Sequence, residues 1–286
     1  MTPTVVIPTV DRHVLLRRCL RGLVGQDVLV VHDGHPDIRA LLRETGVRGL
    51  QIDERGVSAK RNAGWRAATS EHVAFTDDDC EPTEGWLEAL LAAGTDFAAG
   101  PVSPHPEDGS HGRWDRTVTS SAPGFYPGCN LLVRRSYLEQ VGGFDEALAG
   151  GEDVDLVCRV RKAGATMGWA EQARVWHAVR PQTFTEQLQS LPRWEGLPRV
   201  VGRHPELRAL AHRQYFWKDS HPRALLAVLC VLAAAKDRRA LLGVLPLLAT
   251  RLRDGGLRGG AELAVNDLAE LAVLTAGSIR HRAVLL

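Results

Sequence analysis

Cysteine is scarce and ill-placed in this chain. Five among 286 residues (Cys19, Cys80, Cys129, Cys158, Cys230) form an odd, scattered set without a C-x-x-C pair. A disulfide framework and a zinc site are therefore not expected, and a reducing cytoplasm fits. Long apolar runs are also missing. The longest, Ala224 to Ala235, has 12 residues, against the roughly 20 that a membrane-spanning helix needs. The first residues lack a basic segment followed by an apolar one, so no signal peptide is expected. Neither an internal repeat nor a low-complexity tract is visible. Net charge is nearly absent at +1, but it is unevenly spread. Residues 1–179 hold 19 Lys+Arg against 25 Asp+Glu, a net of −6, and residues 180–286 hold 16 against 9, a net of +7. A basic C-terminal section can meet phosphate or an anionic membrane, or be only a solvated helical surface. Its basic residues are spread over several helices with no known module, so nucleic acid is not an expected partner.

What is present reads as two regions. Over the first hundred residues short apolar runs (Val5–Ile7, Val28–Val31, Gly49–Ile52, His72–Thr76) alternate with helical spacing (His13–Val24, Asp37–Thr45, Val57–Ala68, Gly85–Ala93). Asp11 is placed to cap the first helix and Ser58 to open the third. This alternation predicts an α/β fold with a mostly parallel central sheet flanked by helices. Residues 101–127 show little periodicity, and a loop of that length in a compact domain is usually functional. A further strand at Leu131–Val133 and helices at Ser136–Val141 and Asp153–Ala163 follow. Beyond Pro181 only helices are expected: Phe184–Leu191, Pro205–Trp217, Ala224–Ala235, Arg239–Leu252 (ended or kinked by Pro246) and Ala261–Ile279. The expected division is 1–180 and an all-helical 181–286.

Ligands bind at the carboxyl ends of the strands in such sheets. There stand Thr9, Asp33 and the run Asp77-Asp78-Asp79, which follows the fourth strand. Oxygen ligands at alternate positions after a strand suit Mg²⁺ or Mn²⁺. The same run also fits a solvated acidic turn ahead of a helix.

The ordered set Val6-Ile7-Pro8-Thr9, Val30-Val31-His32-Asp33-Gly34, Ser58-Ala59-Lys60-Arg61-Asn62-Ala63-Gly64, Phe75-Thr76-Asp77-Asp78-Asp79, Gly128-Cys129-Asn130, Gly142-Gly143-Phe144-Asp145 and Gly151-Glu152-Asp153-Val154-Asp155 settles more. It resembles a glycosyltransferase of family 2, of the GT-A fold, over about residues 4–180. The resemblance implies transfer of a sugar from a nucleotide-diphosphate donor, UDP-sugar favoured, to an acceptor hydroxyl with inversion at the anomeric carbon. It implies a divalent metal, Mn²⁺ or Mg²⁺, on Asp79, with His177 completing the site. Nucleotide-sugar binding falls to Pro8, Thr9, Asp33 (against the base), Arg61, Asp77, Asp78 and Asn130. Strand alternation turns Asp78 to the other side, toward a cap or a salt bridge. Asp153 is the implied general base, with Glu152 as its alternative. Trp114 fits sugar stacking and core packing equally.

The resemblance thins in the C-terminal helices, where Arg193, Arg199, Arg203, Arg208, Arg213, Lys218 and Arg223 alternate with Trp194, Tyr215, Phe216 and Trp217. Relatives use such a part to approach lipid-linked acceptors. Peripheral contact with the inner face of the cell membrane, a homo-oligomer contact and a helical cap all fit. The acceptor stays open among a lipid-linked glycan, a natural product and a peptide. Two other functions remain, a nucleotidyltransferase and a non-catalytic nucleotide-sugar-binding or membrane-docking subunit.

Overall fold

The computed structural model describes every residue except Met1, Glu54, Arg55, Ser110, His111 and Phe125. The chain divides into two units, Met1–Gln182 and Thr183–Leu286.

Among the described residues the first unit holds ten strands: β1 (Thr4–Pro8), β2 (Asp27–His32), β3 (Arg48–Gln51), β4 (His72–Phe75), β5 (Cys80–Pro82), β6 (Phe97–Ala99), β7 (Val102–Pro104), β8 (Leu131–Arg134), β9 (Met167–Trp169) and β10 (Val175–His177). Its helices are α1 (His13–Arg21), α2 (Pro36–Thr45), α3 (Val57–Ala67), α4 (Trp86–Ala92), α5 (Arg135–Val141) and α6 (Glu152–Lys162). The main sheet runs β3-β2-β1-β4-β8-β6-β9. Every pairing is parallel except those of β8, which is antiparallel to both β4 and β6. Helices cover both faces. Leu16, Ile38 and Leu90 of α1, α2 and α4 enter one apolar cluster, and Trp65, Leu138 and Leu156 of α3, α5 and α6 enter the other. Double coverage explains why β1 and β2 are nearly continuous apolar runs rather than alternating ones.

A small second sheet, β5-β10-β7, follows the acidic run. Its three-residue strands are too short to show a period in the sequence. Within 101–127 the chain is pinned by the bridges Val102↔Ser120 and Arg116↔Arg180. Two expected caps differ. Arg12, not Asp11, occupies the N-cap of α1, and α3 opens at Val57 behind Gly56.

The second unit contains α7 (Phe184–Ser190), α8 (Leu197–Arg203), α9 (His221–Ala233) and α10 (Leu245–His281), with 3-10 segments at Leu191–Gly196, Pro205–Leu210 and Arg238–Val244. The helix expected over 205–217 stops at Leu210; Arg213 and Gln214 then take positive φ, which a helix cannot accommodate. Pro246 neither ends nor kinks a helix. It sits in the first turn of α10, where a missing N–H costs nothing. The break in α10 falls instead at Gly256, whose φ of 65° and ψ of −165° only glycine adopts readily. No helix among the described residues is long and apolar enough to cross a membrane.

Candidate active site

The site grows from the carboxyl ends of β1, β2 and β4. Pro8 and Thr9 end β1, and both are buried. The Thr9 hydroxyl donates to Asp78 Oδ2 at 2.6 Å, and the Thr9 carbonyl accepts from Lys60 Nζ at 2.6 Å. The proton of the Thr9 hydroxyl is therefore spent inside the protein and not on a nucleoside. Asp33, just past β2, lies 3.9 Å from the same Lys60 ammonium. Lys60 is only 1% exposed, so the solvated lysine that a helix start suggests is instead a buried cation.

The three adjacent carboxylates divide. Asp77 accepts from Arg61 at 2.7 Å, and the other arm of that guanidinium reaches Glu152 Oε1 at 2.9 Å. One buried arginine thus ties the β4 end to the start of α6. Asp78 is fully buried in the turn past β4, where strand alternation no longer applies, and it pairs at 2.5 Å with Arg12, the guanidinium that also reaches Asp79. Burial pushes its carboxyl up to about 7, against the pull of Arg12. Asp79 carries the densest positive surroundings: Arg12 at 2.5 Å, His177 Nε2 at 3.6 Å and Arg180 Nε at 3.7 Å. Burial alone would raise its carboxyl, but the charges of His177, Arg12, Arg180 and Arg116 outweigh it and hold Asp79 below the usual range.

His177 meets Asp79 through strand pairing across nearly a hundred residues of sequence. β10 runs antiparallel to β5 with His177 opposite Cys80, and the Ala178 N–H donates to the Asp79 carbonyl at 2.8 Å. His177 Nδ1 is 2.8 Å from the Ala178 carbonyl, which can only accept. Nδ1 therefore carries a proton, and Nε2 is the ring atom that faces Asp79. A carboxylate and an imidazole nitrogen on one side suit a divalent ion, Mn²⁺ better than Mg²⁺. Cys80 lies beside them, yet burial raises its thiol far above the usual range, and sulfur is a poor partner for a hard cation.

Across the site Gly151, at φ +79°, turns the chain into α6 and sets Glu152 and Asp153 in its first turn. Asp153 Oδ2 accepts from the Gly128 N–H at 3.0 Å and Oδ1 from the Val154 N–H at 2.8 Å. Burial raises both acids of this pair; the neighbouring Asp153 charge raises Glu152 further, and Arg61 opposes the shift in each. Asp155, fully buried, pairs with Arg159 one turn on at 2.7 Å.

Asn130 is a correction. Expected at the donor sugar, it is 0% exposed and spends its amide on the protein interior. Its Oδ1 accepts from Trp86 Nε1 at 2.8 Å, and its Nδ2 donates to the carbonyls of Pro101 and Ala173 at 3.0 and 2.8 Å. It fixes the loop behind the site. Trp114 is half-buried. Sequence reasoning missed Arg12, Arg116 and Arg180. For Arg12 a signal existed, because a cation at a helix N-terminus opposes the helix dipole and needs a carboxylate to hold it.

Two family models match this chain, "Glycosyl transferase family 2" over residues 4–142 and "Glycosyl transferase family group 2" over 109–250. The chain belongs to glycosyltransferase family 2. Among its relatives is the pre-mycofactocin glycosyltransferase of Mycobacterium tuberculosis, 33% identical over 210 residues, covering 63% of this chain and 43% of that protein. Glycosyltransferase AglE of Haloferax volcanii is 29% identical over 212 residues, covering 65% and 69%. The chain thus spans less than half the length of the M. tuberculosis relative. Among solved structures, the mannosyltransferase PcManGT of Pyrobaculum calidifontis, in complex with GDP-Man and Mn²⁺, superposes with a TM-score of 0.56 at 16% identity, covering 99% of this chain and 88% of that one. S. aureus TarS in complex with UDP-GlcNAc gives 0.52 at 15%, covering 99% and 93%. At these identities the likeness establishes a shared GT-A fold.

Proposed function

We propose that this chain is an inverting, metal-dependent glycosyltransferase that moves a sugar from a nucleoside-diphosphate donor to an acceptor hydroxyl. The observation that carries this reading is Arg61, which joins Asp77 to Glu152 and so makes one site of the β4 carboxylates and the Glu152-Asp153 pair. A nucleotidyltransferase has no use for that second acid pair. The donor complexes of the two fold relatives support the reading.

Asp33 faces the nucleoside, and Asp77 with Arg61 lies on the donor side. Asp153 takes the proton from the acceptor hydroxyl as it attacks the anomeric carbon. Its two backbone N–H bonds hold the carboxylate in place, and burial keeps it more basic than an exposed aspartate. A divalent ion on Asp79 and His177 would supply, when bound, positive charge to the departing diphosphate. Arg12, Arg116 and Arg180 add fixed positive charge around Asp79. The C-terminal helices present the enzyme to a membrane surface or to a second copy.

A thermal-shift screen of UDP-, GDP- and dTDP-sugars with and without Mn²⁺ tests the donor. Asp153→Asn should then reduce transfer by about 10²–10⁴-fold while donor affinity stays nearly constant. Preserved turnover would remove Asp153 as the base. Asp79→Ala should abolish the effect of Mn²⁺ on nucleotide binding, and unchanged affinity would refute its ligand role.

A further inference from the structure

α9 is built inside out. It turns Ala224 and Ala227 into the core of its unit and leaves Leu226, Val228, Leu229, Val231 and Leu232 exposed, Leu232 at 67%. The 3-10 segment after it does the same, with Leu241 and Leu242 outside, and Leu245 at the start of α10 continues the surface. Water-facing helices do the reverse. A contiguous leucine and valine surface on a helical hairpin marks an interaction site.

The charges around this surface have one dominant sign. Over residues 221–258 stand seven Lys+Arg against two Asp. Lys236, Arg238 and Arg239 are all exposed at the turn that joins α9 to the 3-10 segment. Asp237, between them, spends its carboxylate on the backbone N–H of Arg239 at 2.9 Å. Arg253 and Arg258, 77% and 95% exposed at the other end, pair with Asp254 and Glu262 at 3.3 and 3.4 Å, and Arg251 is held by Asp267. Several cations of the 193–223 stretch are likewise used within the unit. Lys218 pairs with Glu270 at 2.7 Å, and Arg208 donates to the Val284 carbonyl at 2.9 Å. The positive surface left for a partner is the Lys236, Arg238 and Arg239 turn of the hairpin.

We infer that the hairpin over residues 221–252 is an in-plane docking surface for an anionic lipid bilayer, its leucines entering the headgroup boundary and its Lys/Arg turn meeting acidic headgroups. No described helix can span, so the hairpin lies in the interface. A second copy is the poorer occupant, because apposing two such surfaces would bring two strongly positive rims together. This deepens the membrane arm of the proposed function and is independent of the donor chemistry.

Co-sedimentation of the full chain with phosphatidylcholine vesicles, with and without phosphatidylglycerol, tests it. Binding should require the anionic lipid and weaken in high salt. Arg238→Glu and Arg239→Glu should each weaken it about fivefold or more. Leu232→Glu with Leu242→Glu should weaken it at least tenfold. These are exposed positions, so circular dichroism and nucleotide binding should be unchanged. Wild-type protein that ignores anionic vesicles, or leucine variants that bind as well as wild type, overturns the inference. A concentration-dependent dimer split by Leu232→Glu would overturn it in favour of self-association. Nucleotide binding retained without vesicle binding condemns this surface alone; vesicle binding without nucleotide binding condemns the donor reading alone.

Discussion

Replacing Arg61 with methionine removes the one charge that two carboxylates share. Arg61 is buried, with Glu152 at 2.9 Å and Asp77 at 2.7 Å. Breaking a buried ion pair by deleting one partner costs about 3–5 kcal/mol, because the other is left uncompensated. Asp77 is partly solvated, so most of that cost should fall on Glu152 and its neighbour Asp153. The sign with pH follows from the shifts. Both acids already have raised folded-state pKa values, so the folded state holds protons that the unfolded chain releases, and stability falls as pH rises through that window. Arg61 opposes the shift. Without it the window widens upward, so Arg61→Met should be most costly at about pH 8 and least costly near pH 2, where these acids are protonated in both states. Urea unfolding followed by tryptophan fluorescence across that range measures it, and the thermal midpoint should drop on the order of 10 °C at pH 8. Arg61 also lies 5.3 Å from the Phe144 ring centroid. A loss independent of pH would mean that this packing, not charge compensation, is what the arginine supplies. That result would refute the reasoning.

Asn130→Ala should cost about 3 kcal/mol or more by stranding the Trp86 indole N–H and two buried carbonyls. The donor KM of the folded fraction should not move; a raised KM with intact stability would return Asn130 to the donor site. The acid limb of the kcat/KM profile should titrate above the ordinary aspartate value of about 4, because burial raises Asp153. A limb at the ordinary value would show Asp153 solvated during attack.

The order of strands and helices in the first unit was legible because double coverage makes buried strands apolar throughout and amphipathic helices periodic. Strands of three residues, such as β5 and β10, offer no period, although their pairing is what brings His177 to Asp79. In the second unit, helix reading failed where single residues decide, at Arg213 and Gln214, at Gly256 and at Pro246.

Within the site, the acids were easier to read than the cations. A run of three carboxylates is conspicuous in any sequence, since like charges side by side need a reason. The arginines and lysine that supply the reason come from four separate segments, at Arg12, Lys60-Arg61, Arg116 and Arg180, and each looks like an ordinary surface cation in its own neighbourhood. Lys60 and Arg61 are buried, Arg12 and Arg180 half-buried and Arg116 exposed, so their place in the site can be inferred only by asking what must neutralise Asp77, Asp78 and Asp79 together. Asn130 shows the converse. Its motif neighbours fixed attention on the donor sugar, yet a buried amide must satisfy each of its polar atoms. The Trp86 indole and two loop carbonyls already do so. A residue can thus belong to a site's sequence signature by shaping the wall behind it, with no atom left over to touch the substrate.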